Sequence, residues 1–342
     1  MENKKNILFI INPISGTKGK EVIVSHIEKY LDKDKFNFKV KTTEYAGHAA
    51  ILAKESAELN VDIVVAVGGD GTVNEIARSL VHTKTALGII PCGSGNGLAR
   101  HLQIPMEPKK AIIILNQCYI KCVDYGRINN LPFFCTCGVG FDAFVSFKFA
   151  EAGKRGLLSY LENTLREGLR YKPETYMIED ENGTFKYKAF LIACANASQY
   201  GNNAYIAPQA SMSDGLMDVT IMEPFNAIEA PQIAIQLFNK TLDQNSHIKT
   251  FRAKKISIHR STEGAVHCDG DPLMTGRDID VQLIEKGLYV IRNSEGSSHS
   301  ESLLQIFSHY FNDLSSIHGE LRDRNRKFMS INKDLLRRLR KK

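Results

Sequence analysis

The sequence predicts an α/β domain on a mainly parallel sheet, then a mainly antiparallel β domain, then a helical C-terminal tail. Three observations predict it. Strand and helix signals alternate through residues 1–122, as βαβ units require. Strand-like runs dominate residues 123–293, with a last strand that can return to the first sheet. Apolar residues then recur at steps of three and four through residues 299–342.

The elements follow in order. Ile7–Ile11 is an apolar strand, and Lys18–Leu31 carries Val22, Ile23, Ile27, Tyr30 and Leu31 at helical spacing. Phe36–Thr42 alternates as a strand, and Gly47–Leu59 is Ala-rich and helical. Ile63–Val67 is a buried parallel strand with a helix at Thr72–Val81 after it. Leu87–Ile90 is a fourth strand, with short helices near Asn96–Leu102 and Lys109–Leu115. Beyond residue 120 the strands are Cys118–Ile128, Phe133–Val139, Thr175–Glu179, Lys186–Ala195, Leu216–Met222, Lys254–His259, Asp278–Glu285 and Leu288–Arg292. Helical patterns interrupt at Ala143–Ala150, Leu157–Leu169 and Ala227–Phe238. In the tail, Leu303, Phe307, Tyr310, Leu314, Ile317 and Leu321 begin an apolar seam that ends among Arg337, Arg338, Arg340, Lys341 and Lys342. Such a helix packs on the body, pairs two chains into a homodimer, or lies on an anionic membrane face.

Composition sets bounds. The chain has 342 residues, 43% of them hydrophobic, and a net charge of +6. Ten basic and three acidic residues fall in 319–342, so the body is near neutral and carries no nucleic-acid footprint. No apolar run is long enough to span a bilayer, and Met1–Lys5 leads straight into a strand, so the expected location is cytoplasmic. The seven cysteines sit mostly in apolar stretches and read as free thiols, and Cys135-Thr136-Cys137 lacks zinc spacing.

Three glycine-bearing turns follow three strands. They are Asn12-Pro13-Ile14-Ser15-Gly16, then Gly68-Gly69-Asp70-Gly71-Thr72-Val73-Asn74-Glu75, then Gly93-Ser94-Gly95-Asn96-Gly97. Glycines let backbone N–H groups approach a ligand, and a helix N-terminus adds positive charge, which together suit phosphate. Asp70 is the odd member, because a carboxylate repels phosphate. It fits a Mg²⁺ or a proton to be removed; the plain alternative is an N-cap. At one sheet end, the three turns form a cradle of N–H and hydroxyl donors for a nucleoside triphosphate. The GxxxxGK[ST] and GxGxxG patterns are absent. Ser213-Asp214-Gly215 and His267-Cys268-Asp269-Gly270-Asp271-Pro272 are by themselves ordinary turn chemistry. His267 reads as a surface or hydrogen-bonded histidine, and Lys154-Arg155 as a solvated loop or an anion contact.

The three turns in this order resemble the catalytic domain of the diacylglycerol kinase and sphingosine kinase superfamily of lipid kinases. The likeness continues through Ala193–Asn196, Ile206–Ala210, Ser213–Val219 and His267–Pro272, and covers roughly residues 5–293. The resemblance implies ATP contacts from Asn12, Pro13, Ser15, Gly16, Thr43, Gly68, Gly69, Asp70, Gly71, Thr72, Asn74, Glu75, Gly93, Ser94 and Asn96. It implies a Mg²⁺ held by Asp214 with backbone oxygens near Ser211 and Leu216. The family's Asp-Gly-Glu proton acceptor falls at Asp271, a shorter carboxylate. Asp269 or Asp70 remain alternative bases. The activity implied is ATP- and Mg²⁺-dependent phosphorylation of a lipid hydroxyl by an enzyme peripherally associated with the membrane. Two rivals stand beside it: an NAD kinase-like enzyme, which shares the GGDGT turn, and a non-catalytic membrane-docking adaptor.

Overall fold

A computed structural model describes residues 4–15, 20–143, 168, 171–226 and 228–294. The expected helices at 143–150 and 157–169, Lys154-Arg155, Gly16 and the tail at 299–342 fall wholly or mainly outside the described residues.

The first half is built as expected. Strands β1 (Lys5–Ile11), β2 (Phe36–Thr42), β3 (Ile63–Gly68) and β4 (Ala86–Pro91) alternate with helices α1 (Lys20–Tyr30), α2 (His48–Glu58) and α3 (Asp70–Leu80). Helices α4 (Gly97–His101) and α5 (Pro108–Gln117) follow. The strands are parallel in the order β2-β1-β3-β4. Every residue of β3 and β4 is buried, which explains their unbroken apolar sequence. Each fully buried Ile, Val or Leu contributes about 1.5–3 kcal/mol by leaving water. Because β1 lies between β2 and β3, the chain reverses its winding there. That switch point opens a crevice at the strands' carboxyl ends, where α/β sheets bind ligands.

Strands β5 (Ile120–Ile128), β6 (Leu131–Phe133), β7 (Thr136–Gly140), β8 (Glu174–Asp180), β9 (Gly183–Ala189), β10 (Leu191–Ala195) and β11 (Met217–Met222) come next. A sixth described helix, α6 (Ala230–Asn239), precedes β12 (Ile248–Ala253), β13 (Lys255–Arg260), β14 (Gly264–Cys268), β15 (Asp271–Thr275) and β16 (Asp278–Ile291). A six-stranded sheet has the order β12-β11-β10-β7-β14-β15, and its neighbouring strands are antiparallel. The other strands join the first sheet, which reaches ten strands.

The joint is β16. One edge pairs antiparallel with β13 and then, at Val290, parallel with β4. The opposite edge carries β5. Asp278–Glu285 and Leu288–Arg292, expected as separate strands, are therefore one strand with a bulge. Lys286 takes the left-handed conformation (φ +51°) at that bulge, and its N–H donates to Asp124 at 2.8 Å. Residues 1–296 cluster as one compact unit. The boundary expected at residue 122 falls inside β5.

Candidate active site

The three glycine turns meet at the carboxyl ends of β1, β3 and β4. Asn12 Nδ2 donates to Thr72 Oγ1 at 2.9 Å, joining the first turn to the second. The second and third turns touch through glycine: a Cβ on Gly93 would lie 2.6 Å from the Gly69 Cα. Asp70 fastens the same pair. Its Oδ2 accepts from Asn96 N–H and its Oδ1 from Gly97 N–H, both at 2.8 Å. Asp70 is thus the first residue of α3, and its carboxylate caps the short helix α4 rather than its own helix. Asn96, itself left-handed at φ +54°, closes its turn by accepting from Gly93 N–H and donating to the Gly93 carbonyl.

The neighbouring residues brace this cradle. Ser15 Oγ donates to the Asn12 carbonyl, beside Pro13. Thr43 follows β2 as Asn12 follows β1, and is buried. Glu75 accepts from Gly47 N–H at 3.1 Å, which ties α3 to the loop after β2. Thr72 and Asn74 are buried, whereas Gly71 and Ser94 are exposed. A Cβ on Gly71 would meet nothing within 4 Å, and a Cβ on Gly68 would strike Thr72.

The Asp-Gly-Asp segment is the loop of the β14–β15 hairpin. Asp269 (φ +53°) and Gly270 (φ +85°) form its two-residue turn, and Asp-Gly suits the paired positive φ of type I′. Asp269 Oδ2 accepts from Phe134 N–H at 2.8 Å, and its Oδ1 accepts from Cys135 N–H at 2.7 Å and Thr136 N–H at 3.1 Å. Burial pushes the Asp269 carboxyl up to about 6, against the pull of those three donors. Both oxygens are engaged, so the residue's visible work is to hold the hairpin on the start of β7.

Asp271 differs. It opens β15 with its side chain 58% exposed, and among the described residues its polar side-chain partner is Arg78, whose Nη2 lies 3.8 Å from Oδ2. Partial desolvation pushes its carboxyl up; Arg78 opposes the shift and the nearby Asp70 adds to it. Arg78 comes from the last turn of α3, and its Nε donates to the Pro132 carbonyl at 3.2 Å. The helix that starts in the glycine cradle therefore ends against the Asp271 hairpin.

His267 is 2% exposed. Its Nδ1 accepts from Gly270 N–H at 3.4 Å, which puts the ring proton on Nε2, and Nε2–H donates to Asp142 at 2.9 Å. Tyr200 donates to the same Asp142 oxygen at 3.1 Å. This set, with His267 buried at its centre, props the hairpin. Sequence reasoning missed Arg78, Asp142 and Tyr200. For Arg78 a signal existed, since residues 70, 74 and 78 share one face of a helix.

The Ser213-Asp214-Gly215 turn is held from behind by Asp124, whose Oδ2 accepts from Gly215 N–H at 3.0 Å while Oδ1 takes the bulge at Lys286. Asp214 Oδ1 accepts from Leu216 N–H at 3.2 Å, and its Oδ2 pairs with the Arg252 guanidinium. Arg252 Nε also lies 3.6 Å from Asp218 Oδ2, a buried oxygen without a hydrogen bond. Burial raises the Asp218 carboxyl, Arg252 opposes it and Asp214 adds to it. Two carboxylates sharing Arg252, one with an orphaned oxygen, are oxygen donors of the kind a hard divalent cation takes. Arg252 supplies the positive charge at that point. Among the described residues no group of three or more His, Cys, Asp or Glu gathers as a metal centre.

Similarity to known proteins agrees with this geometry. The family model described as "Diacylglycerol kinase catalytic domain" matches residues 6–128, and "YegS C-terminal NAD kinase beta sandwich-like domain" matches residues 135–282. The chain is 28% identical over 276 residues to "Diacylglycerol kinase" of Bacillus subtilis, which covers 78% of this chain and 90% of that protein. It is also 28% identical over 239 residues to "Probable lipid kinase YegS-like" of Chromohalobacter salexigens, covering 68% and 77%. A crystal structure titled as a diacylglycerol kinase from Bacillus anthracis shares the fold, with a TM-score of 0.66, 21% identity, and 86% and 98% of the two chains covered. With the two family models meeting nearly end to end across both sheets, the chain belongs to the diacylglycerol kinase and sphingosine kinase superfamily of lipid kinases.

Proposed function

We propose that this protein is an ATP- and Mg²⁺-dependent kinase that phosphorylates the hydroxyl of a lipid alcohol of the diacylglycerol, sphingoid or ceramide type. The observation that carries the reading is the division of labour among three carboxylates. Asp70 and Asp269 have both oxygens engaged by backbone N–H groups, and among the described residues Asp271 has none so engaged. A general base needs an oxygen within reach of the substrate proton. Asp271 therefore takes the base role, and Asp70 and Asp269 become positioning residues.

The chemistry follows from the placement. The glycine turns bind and orient the triphosphate through backbone N–H groups. The lipid hydroxyl gives its proton to an Asp271 oxygen as its own oxygen bonds to the γ-phosphorus. The bond from that phosphorus to the bridging oxygen breaks, and ADP leaves. Arg78 keeps Asp271 turned toward α3 and the cradle. Mg²⁺ bound with the triphosphate would neutralise phosphate charge. Asp214, the Asp218 oxygen and the carbonyls of Ser211 and Leu216 would hold an ion in the second sheet. Substrate arrives from a membrane surface, to which the protein binds peripherally; no described helix is long and apolar enough to cross one.

The test is a panel of diacylglycerol, sphingosine, ceramide and NAD with labelled ATP, read by mass analysis of the products. Wild-type protein should label one of the lipids and not NAD. Asp271→Asn should lower kcat by at least about 10²-fold, the usual worth of a general base, with an unchanged melting temperature. Undiminished turnover by a folded Asp271→Asn would refute the assignment.

A further inference from the structure

A second site borders this machinery and shares Ser211 with the candidate cation site. A cavity of about 230 Å³ opens between the end of α4, the start of β5, the loop 210–213 and the residue after β16. Its wall carries Lys121, Arg292, His101, Gln103, Ser211 and Ser213, with no Asp or Glu among the lining residues. Lys121 Nζ donates to Ser213 Oγ at 2.9 Å, and Arg292 Nε reaches only the Asn293 carbonyl at 3.5 Å. Among the described residues neither cation pairs with a carboxylate. Two unpaired cations facing one half-buried hollow are costly unless an anion completes them.

Leu102, Val123, Ala210 and Met212 form the apolar part of the wall, and its other polar groups include further donors. His101 Nδ1 accepts from Ser198 N–H at 3.1 Å, so its ring proton sits on Nε2. Burial, reinforced by Arg292, pushes this imidazole down to about 4, so it is neutral at pH 7 and can donate through Nε2–H. Ser211 and Ser213 add two hydroxyls, 3.5 Å apart. A guanidinium, an ammonium, hydroxyls and an imidazole N–H around one hollow match a tetrahedral oxyanion of charge −2.

We propose that this cavity is a binding site for a phosphate group, either inorganic phosphate or the phosphomonoester of a lipid headgroup. Its walls connect to both halves of the candidate active site. His101 ends the helix whose first N–H groups hold Asp70, and Ser213 precedes Asp214. A phosphate here braces the α4 end against the 210–214 loop.

The experiment is calorimetric titration of the full chain at fixed ionic strength, with inorganic phosphate in one arm and short-chain phosphatidate in the other. Variants are Lys121→Gln, Arg292→Gln and the double variant. Neither residue belongs to the candidate catalytic or nucleotide-binding set. Each single change should weaken binding by about 10-fold, the loss expected for one charged hydrogen-bond donor. The double variant should abolish it. Binding of phosphate alone identifies the free anion as ligand; tighter binding of phosphatidate identifies the headgroup. Titrations with no heat in either arm would overturn the proposal. So would affinity left intact in Lys121→Gln, a change at a half-exposed strand position that the fold tolerates.

Discussion

Replacing Asp70 by Asn separates a structural from a chemical role. In the wild type both carboxylate oxygens accept backbone N–H groups, from Asn96 and Gly97, at 2.8 Å. An amide keeps one acceptor and turns an NH₂ toward the other N–H. One charged hydrogen bond is lost, worth about 1.5–3 kcal/mol, and a buried donor is left facing a donor. A loss of about 2–3 kcal/mol is expected. In a domain of this size each kcal/mol shifts the midpoint by about 2–4 °C, so Tm should fall by roughly 4–12 °C. The Gly93–Gly97 turn loosens with it, so KM for ATP should rise more than kcat changes. Thermal melts with and without ATP, beside initial-rate kinetics, read both effects. A base or metal ligand replaced by its isostere would instead lose kcat at constant Tm. An unchanged melting temperature in Asp70→Asn would refute the bracing role.

Two further outcomes follow from the geometry. Asp269 is raised to about 6 in the fold, against an unfolded carboxyl near 3.9. Between about pH 4 and pH 6 the folded state therefore holds the extra proton, and this residue's share of stability falls as pH rises through that window. The difference in unfolding free energy between wild type and Asp269→Asn should slope across pH 4–6 in denaturant titrations, and a flat difference would contradict the shift. Gly93→Ala puts a methyl 2.6 Å from the Gly69 Cα and should destabilise the fold by about 1–3 kcal/mol. Gly71→Ala, with nothing within 4 Å, should hold or raise Tm and alter only KM for ATP; equal melting of the two variants would argue against the close packing of the turns.

Much of the first sheet was legible because its strands carry one message each. Phe36–Thr42 begins and ends where its alternation does, and Ile63–Gly68 is apolar because both faces are covered. The second half was harder, since strand identity there depends on which sheet a residue joins. Lys186–Ala195 read as one strand but splits at Phe190. The exposed β9 pairs with β8 in one sheet, and the buried β10 pairs with β7 and β11 in the other. Phe133–Val139 divides in the same way between β6 and β7. Strand β12 was missed because Ile248–Ala253 alternates weakly, and β14 and β15 because their turn residues dominate the local signal. At β16, Lys286-Gly287 reads as a break, yet the bulge survives as one strand because Asp124 takes the Lys286 N–H.

The carboxylates show what a motif leaves undetermined. Asp70 and Asp269 sit in turn-like sequence, as Asp271 does, Asp124 sits in the middle of β5, and residue type does not rank them. Their backbone partners do: among the described residues, two N–H groups on Asp70, two on Asp124, three on Asp269 and none on Asp271. Each of the first three closes a gap between segments distant in the chain, joining the second and third turns, the Gly215 turn and the β16 bulge, and the hairpin and β7. Those gaps exist only after folding, so no local pattern announces them. An acid saturated with backbone donors has little capacity left to accept a substrate proton. One that faces only a partly exposed guanidinium at 3.8 Å keeps it. The three fixed aspartates are then the reason the fourth can be free. They hold the turns and the hairpin, so that Arg78 is enough to keep Asp271 beside the cradle.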